Sequence, residues 1–250
     1  MNRIGLYWFS RREVHRFLKV INQTVFPPIV SSLLYIAVFH FVLGRSGGTD
    51  DYLAFLVPGL VMMAMVTNAF SNSSSSLFIS KWSHHIGHLL TMPLSYLELT
   101  LGYIIGAITR GIVSGAGIII VLAFLVPVGF AHPFIALLYL FIGCFLFGAL
   151  GILAALWADQ FDHLGIFSTF IITPLTMLGG VFYSIQTLPE TFRTATLFNP
   201  VFYLVDGFRY GMVGVNDAPI WLGILVTGTL SAIVFAVVIA LLRAGYKIRS

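Results

Sequence analysis

The stretch "PFIALLYLFIGCFLFGALGILAALW", Pro133 to Trp157, runs for 25 residues without one charged side chain. At a rise of 1.5 Å per residue, a helix of that length covers about 37 Å, more than the ~30 Å hydrocarbon core of a bilayer. Apolar and polar residues do not alternate along it, as they would in a strand of a membrane barrel. It reads as a helix that crosses a membrane.

The same reading holds for most of the chain. Of 250 residues, 58% are hydrophobic and 9% charged, where soluble domains carry about 25% charged residues, and the mean hydropathy is +0.98. Five more long apolar runs lie at about 25–43, 52–77, 97–126, 164–184 and 219–242. Each is near or above the ~20 residues a crossing needs. The sequence therefore predicts one all-α integral membrane domain over residues 1–250, with six transmembrane helices and both termini on one side. The single cysteine, Cys144, lies inside an apolar run. It cannot form an intrachain disulfide and reads as helix packing.

Ahead of the first run, "RREVHRFLKVINQ" places Val14, Phe17, Leu18 and Ile21 at i, i+3, i+4 and i+7, with Arg11, Arg12, Arg16 and Lys19 largely elsewhere on the wheel. This predicts an amphipathic helix within residues 1–24 that lies on anionic lipid, rather than a plain basic tail. Tyr7 and Trp8 suit the headgroup level. Nine Lys and Arg fall on the side of the termini (Arg3, Arg11, Arg12, Arg16, Lys19, Lys81, Arg243, Lys247, Arg249) and three on the other (Arg45, Arg193, Arg209). The positive-inside rule then places both termini in the cytoplasm.

The connection "ISKWSHHIGHLLTMPLSYLEL" reads as a short amphipathic cytoplasmic helix stopped by Pro93, and "ADQFDHLG" as a short acidic turn. His84 and His88 would share a helix face, as a metal pair requires. They have no HExxH glutamate and no cysteine partner, so a solvated polar face is the better reading. Asp159 and Asp162 mark a membrane boundary rather than a catalytic carboxylate pair. Residues 185–217 form the longest external connection.

Polar residues inside the runs are costly against lipid. Arg110 falls well within the third run, where it either serves function or makes a structural contact to another span. Gly102 with Gly106, and Gly111 with Gly115, are small-xxx-small pairs that permit close helix packing. "NAFSNSSSSLF" has seven Asn and Ser among the nine residues 68–76, Asn68 and Asn72 included; this strip packs inside a bundle or faces a wet cavity. Pro174, Gly179 and Gly180 predict a kink or break in the fifth span.

"LFNPVFYLVDGFRYG", Leu197 to Gly211, has Asn199 as a good N-cap and Pro200 at the first helical position. A helix from there to about Gly211 or Gly214 is too short to span, and should dip into the outer leaflet and return. Asp206 and Arg209, at i and i+3, can pair on one face of it.

Taken together, these stretches resemble the permeases of type-2 ATP-binding-cassette (ABC) transporters, in particular small bacterial permeases without an attached ATPase. The resemblance covers nearly the whole chain. It rests on "RREVHRF" followed by Pro27-Pro28, on "FLVPGLVMM", on "LLTMP", on "ITPLTMLGGVFYS" before "LP", and on "FNPVFYLVDGFRYG", where Asn199, Pro200, Tyr203 and Arg209 match the family's spacing. The resemblance implies an N-terminal interface helix, a coupling helix between spans two and three, two short re-entrant outer helices before span six, and a permease homodimer working with two copies of a separate ATPase in a bacterial inner membrane. It implies coupling to the ATPase through Lys81, Trp82, His85, Ile86, His88, Leu89, Leu90 and Pro93, with Glu13 and Arg16 of the interface helix. It further implies a pathway or gate that uses Asn68, Asn72, Arg110, Pro174, Gly179, Gly180, Asn199, Pro200, Tyr203, Asp206 and Arg209. The sequence departs from its relatives at Gly87 and His88, where they often carry acids.

The residues bear on the engine as well. The only lysines, Lys19, Lys81 and Lys247, follow Leu, Ser and Tyr, so no GxxxxGK[ST] phosphate loop exists. ATP and its Mg would be bound by a partner; this chain is expected to bind no cofactor, metal or nucleic acid and to be no enzyme. A secondary transporter would want intramembrane acids as coupling sites, and only Glu98 approaches that. An intramembrane enzyme would want a nucleophile with a base, or a metal cluster, and neither occurs at suitable spacing.

Overall fold

A computed structural model describes residues 2–43, 49–83, 93–126 and 128–247. Among them all regular structure is helical. In chain order the helices are α1 (Arg3–Leu18), α2 (Ile21–Leu43), α3 (Thr49–Trp82), α4 (Tyr96–Leu122), α5 (Pro133–Trp157), α6 (Phe161–Val181), α7 (Glu190–Leu197), α8 (Pro200–Val213) and α9 (Ile220–Ala244). Six of these, α2 to α6 and α9, are long and apolar enough to cross a membrane. The helix α3 is the axis of the bundle: Leu56, Val61, Met62, Val66 and Ala69 are wholly enclosed. It packs on α5, α4, α8 and α2 in turn.

Helix ends follow local chemistry. Ser95 caps α4 in a capping box with Glu98, each side chain taking a backbone N–H of the other end. Gly214 and Gly245 close α8 and α9 in the left-handed conformation that glycine adopts without penalty. The span predicted at 97–126 stops at Leu122, and the one predicted at 164–184 runs instead from Phe161 to Val181.

Two expectations need correction. The second run does not end at Ser76 or Leu77. It continues as helix to Trp82, so Lys81 and Trp82 form the last turn of α3 rather than the start of a separate coupling helix. The cause is visible: Ser73, Ser74, Ser75, Ser76 and Ser80 each return a hydroxyl hydrogen bond to a carbonyl three or four residues back or, for Ser73 and Ser76, to a neighbouring helix, so the polar strip does not break the ladder. The second correction concerns α1. Its buried stripe is Phe9, Glu13 and Phe17, while Leu18 is 41% exposed and Ile21 belongs to α2.

Helix α1 packs along the first half of α4 through this stripe, in which Phe17 is the one residue of the predicted apolar face. The small residues of α4 permit this. A Cβ on Gly102 would fall 2.2 Å from Phe9 Cδ1, and one on Gly106 2.9 Å from Glu13 Cβ. Farther along α4, a Cβ on Gly117 would lie 2.9 Å from Val25 Cγ1 of α2. The chain thus follows α4 continuously across the α1–α2 break.

One end of the bundle collects cations as structural ties. Lys81 donates to the carbonyls of Leu156 (3.3 Å) and Ala158 (2.9 Å) at the end of α5. Lys247 donates to Trp157 O (2.9 Å) and to both oxygens of Asp159 (2.8 Å), which holds that carboxyl below the usual carboxylate range. These bonds anchor the last turn of α3 and the chain after α9 to the α5–α6 turn.

The α3–α5 seam is closest at Gly151, where a Cβ would meet Ser73 Oγ at 2.3 Å and Phe70 O at 2.5 Å. Gly151→Ala must push two backbones apart and is expected to cost about 1–3 kcal/mol. A thermal unfolding midpoint in detergent equal to that of the native chain would contradict this packing.

Candidate functional site

Two groups of buried polar side chains stand at different heights on α3. The lower one is a seam through three helices, α1, α3 and α4. Asn68 and Asn72 lie one turn apart on α3, and each holds an arginine. Asn72 accepts from Arg16 Nη2 of α1 through both its backbone oxygen (2.9 Å) and its Oδ1 (3.0 Å). Asn68 Oδ1 accepts from Arg110 Nε of α4 (3.3 Å), while its Nδ2 donates to Ser114 Oγ (3.0 Å) and to Ala64 O (3.0 Å). Glu13, fully buried, accepts the Ser76 hydroxyl at 2.5 Å and lies 3.4 Å from Arg16 Nε.

Arg110 has no carboxylate partner among the described residues; its one hydrogen bond is to Asn68. Because Gly106 faces Glu13 and Gly117 faces Val25, Arg110 stands at the height of the α1–α2 junction. Beside it a cleft of about 250 Å³ opens between α2 and α3, with Pro27, Pro28, Ser32, Tyr35 and Met63 on its walls and Asn68 on its floor. Asn68 therefore joins the cleft to the arginine.

The upper group is a knot of α3, α6, α7 and α8. Helix α6 carries two π-helical stretches, Ser168–Ile172 before Pro174 and Met177–Val181. Proline removes a ladder donor, and such a widened turn is a usual accommodation. At Gly179 and Gly180 the helix breaks: Gly180 has φ +73°, a conformation nearly confined to glycine. The break turns the Gly180 carbonyl toward Arg209 of α8, whose Nη2 donates to it at 2.7 Å. Arg209 Nε donates to Phe55 O of α3 (3.2 Å), and the guanidinium carbon sits 3.6 Å from the Phe55 ring centroid. Only 1% of Arg209 is exposed.

The predicted Asp206–Arg209 ion pair does not form. Asp206 turns the other way and accepts the backbone N–H groups of Asp217 (2.8 Å) and Ala218 (3.0 Å), which sets the entry to α9. Burial pushes its carboxyl up to about 6, and these two N–H groups oppose that rise. Asn199 caps α8 through Val201 N (3.0 Å) and donates with its Nδ2 to Leu175 O of α6 (2.7 Å); Pro200 follows as the first helical residue. The Tyr203 hydroxyl donates to Leu197 O (3.0 Å), holding α7 to α8.

The predicted site residues thus sort by place. Asn68, Asn72, Arg110, Glu13 and Arg16 meet in the seam, and Gly179, Gly180, Asn199, Tyr203 and Arg209 meet in the knot. Trp82 is 70% exposed and stacked on Phe78, and the Pro93 carbonyl accepts Asn2 Nδ2 (3.3 Å). His85, Ile86, His88, Leu89 and Leu90 lie outside the described residues. Sequence reasoning missed Ser114 and Phe55, together with Tyr52, whose hydroxyl donates to Phe182 O (2.8 Å) just past the α6 break. A serine one turn past Arg110 was a readable signal; the ring of Phe55 was not, among 23 phenylalanines.

Six spans around a polar seam define a polytopic helical membrane protein of the transport kind, with an arginine-centred knot between its short helices. Residues 5–213 match the ABC-2 type transporter family, and the chain belongs to it. Its relatives include the inner membrane transport permease YadH of Escherichia coli (strain K12), 36% identical over 223 residues that cover 86% of this chain and 87% of that protein. Nodulation protein J of Rhizobium leguminosarum bv. viciae is 28% identical over 254 residues, 96% of this chain and 95% of that one. Its counterpart in Rhizobium meliloti (strain 1021) is 26% identical over 222 residues, covering 84% and 82%. The family comprises membrane subunits of ABC transporters.

Arg209→Ala leaves the Gly180 and Phe55 carbonyls buried without their donor, an expected loss of about 2–6 kcal/mol. Arg209→Lys should recover only part of it, because an ammonium neither forks nor stacks as a guanidinium does. Unfolding midpoints of the two variants against the native chain measure both; if alanine is harmless, the knot is not what closes this end.

Proposed function

We propose that the chain is the permease subunit of an ATP-driven ABC exporter in a bacterial inner membrane, with both termini cytoplasmic. Two copies form a homodimer and engage two copies of a separate ATPase, which binds ATP and Mg. The transported molecule is a lipid-linked glycan, polysaccharide, lipid or hydrophobic drug, and it crosses by alternating access. Helices α7 and α8 are the re-entrant outer pair, and the segment after Trp82, with α1, receives the push of the ATPase.

The observation that carries this reading is the seam that joins α1 to α3 and α4. Arg16 grips Asn72 of α3 by two hydrogen bonds, and Asn68 one turn away floors the cleft and holds Arg110. A displacement of α1 at the basic end of the bundle is thereby delivered to the helix that lines the cleft. An ion-driven carrier would need a carboxylate at the cleft. The nearest acid of the seam, Glu13, is instead engaged by Ser76 and Arg16.

Co-reconstitution with a candidate partner ABC ATPase tests the proposal. Permease should stimulate ATP hydrolysis, and deletion of that ATPase should abolish export; transport that persists without it would sink the reading. Arg110→Ala leaves the buried Asn68 Oδ1 without its donor, so stability should fall by about 1–3 kcal/mol, while stimulated hydrolysis and export drop together. A variant that loses yield but keeps full export per folded molecule would make Arg110 purely structural.

A further inference from the structure

Helix α1 has a third stripe, neither buried against α4 nor fully turned away from it. Arg3, Tyr7 and Arg11 stand at i, i+4 and i+8 along one edge, with Leu6, Ser10 and Val14 beside them. Together with Ile105 of α4 they enclose a groove of about 510 Å³. Its walls are apolar and its rim carries two guanidiniums. Neither Arg3 nor Arg11 has an ion-pair partner among the described residues, and Arg11 lies over the Trp8 ring at 5.0 Å.

The acids nearby are turned elsewhere. Glu98 accepts from Ser95 N (2.7 Å) and from the backbone N–H of Asn2, and Glu13 is held on the buried face by Ser76 and Arg16. Inside the groove the Ser10 side chain is 8% exposed, and its Oγ has no hydrogen-bond partner. A buried hydroxyl without a partner is an uncommon and costly arrangement.

We propose that this groove holds an anionic phospholipid. The phosphate sits between Arg3 and Arg11 with Ser10 as a further donor, and one acyl chain lies along Leu6, Val14 and Ile105. The occupant follows from the chemistry: cations at the rim answer a phosphate, apolar walls answer a hydrocarbon chain, and a soluble anion would leave those walls wet. Exposed Ile4 (72%), Tyr7 (61%) and Trp8 (57%) continue the apolar and aromatic surface beyond the rim, as suits a helix at headgroup depth. The transport reading does not depend on this site, and its failure would leave that reading standing.

The test uses the full chain in nanodiscs of equal parts phosphatidylcholine and phosphatidylglycerol, followed by native mass spectrometry of the lipids it retains. The double variant Arg3→Gln/Arg11→Gln removes both rim charges. Arg12→Gln/Lys19→Gln removes two other exposed charges, Arg12 from the opposite edge of α1 and Lys19 from just past its end. A basic residue at an anionic surface contributes roughly fivefold, so the first variant should bind phosphatidylglycerol about 25-fold more weakly, and the second should match the native chain. Equal losses in both variants, or none in either, would overturn the site in favour of diffuse attraction or no attraction. Unchanged lipid retention in Arg3→Gln/Arg11→Gln with loss of ATPase binding would assign the groove to an acidic protein surface instead and overturn the lipid. All four side chains are exposed, so gel filtration should show every variant folded.

Discussion

A guanidinium that is 99% covered cannot be left to itself: bringing such a charge out of water costs several kcal/mol unless it is well hydrogen-bonded. Arg209 meets that demand with the carbonyl and ring of Phe55 on α3 and the carbonyl of Gly180 at the end of α6. The demand explains the shape around it. Gly180 must present its carbonyl sideways, and that requires the +73° φ and the broken end of α6. Phe55 and Gly59 must lie within reach, which sets how closely α3 approaches; a Cβ on Gly59 would be 2.9 Å from Val181 O. Asn199 then bonds α6 at Leu175, so that α8 can start where Arg209 needs it.

The knot and the seam are joined by one continuous helix. From Phe55 to Asn68 is 13 residues of α3, about 20 Å at helical rise, and Leu56, Val61, Met62 and Val66 between them are enclosed on all sides. An element packed that tightly moves as a piece, because interiors at crystal-like density transmit displacement rather than absorb it. A shift of α3 relative to α4 and α5 must therefore change both groups at once. Four of the seam's six hydrogen bonds run between side chains, which can exchange partners. Those of the knot run to backbone carbonyls, which cannot. The seam is thus the more adaptable of the two.

The number of spans and the chain path were legible in the sequence because length and hydropathy suffice for them. Asn199, Pro200 and the glycines after the short helix were legible because caps are local chemistry. The partners of charged residues were not. Asp206 and Arg209 share a face by spacing, yet each is drawn off by backbone groups that exist only because α6 breaks and α9 begins nearby. Spacing registers side chains alone; it does not register a carbonyl or an N–H freed by a kink in another helix. The same blindness let the serine strip pass for a helix end, although its hydroxyls return to their own ladder.

The most instructive difference is α1. A helical wheel ranks residues by polarity, so it grouped Val14, Phe17, Leu18 and Ile21 as one apolar face for lipid and could not place Glu13 on a buried face. Yet Gly102 and Gly106 leave a channel on α4 wide enough for a helix to approach closely, and one oxygen of the Glu13 carboxylate takes the Ser76 hydroxyl and lies 3.4 Å from Arg16 Nε. Once Glu13 faces inward, geometry fixes the rest. Residues 3, 7 and 11 fall about a quarter to a half turn away at 100° per residue, at the margin between protein and surroundings. An arginine at such a margin keeps its stem on apolar surface and its charge outside. The inward glutamate is therefore the reason that the arginines of α1 line up along a groove instead of scattering around a free helix.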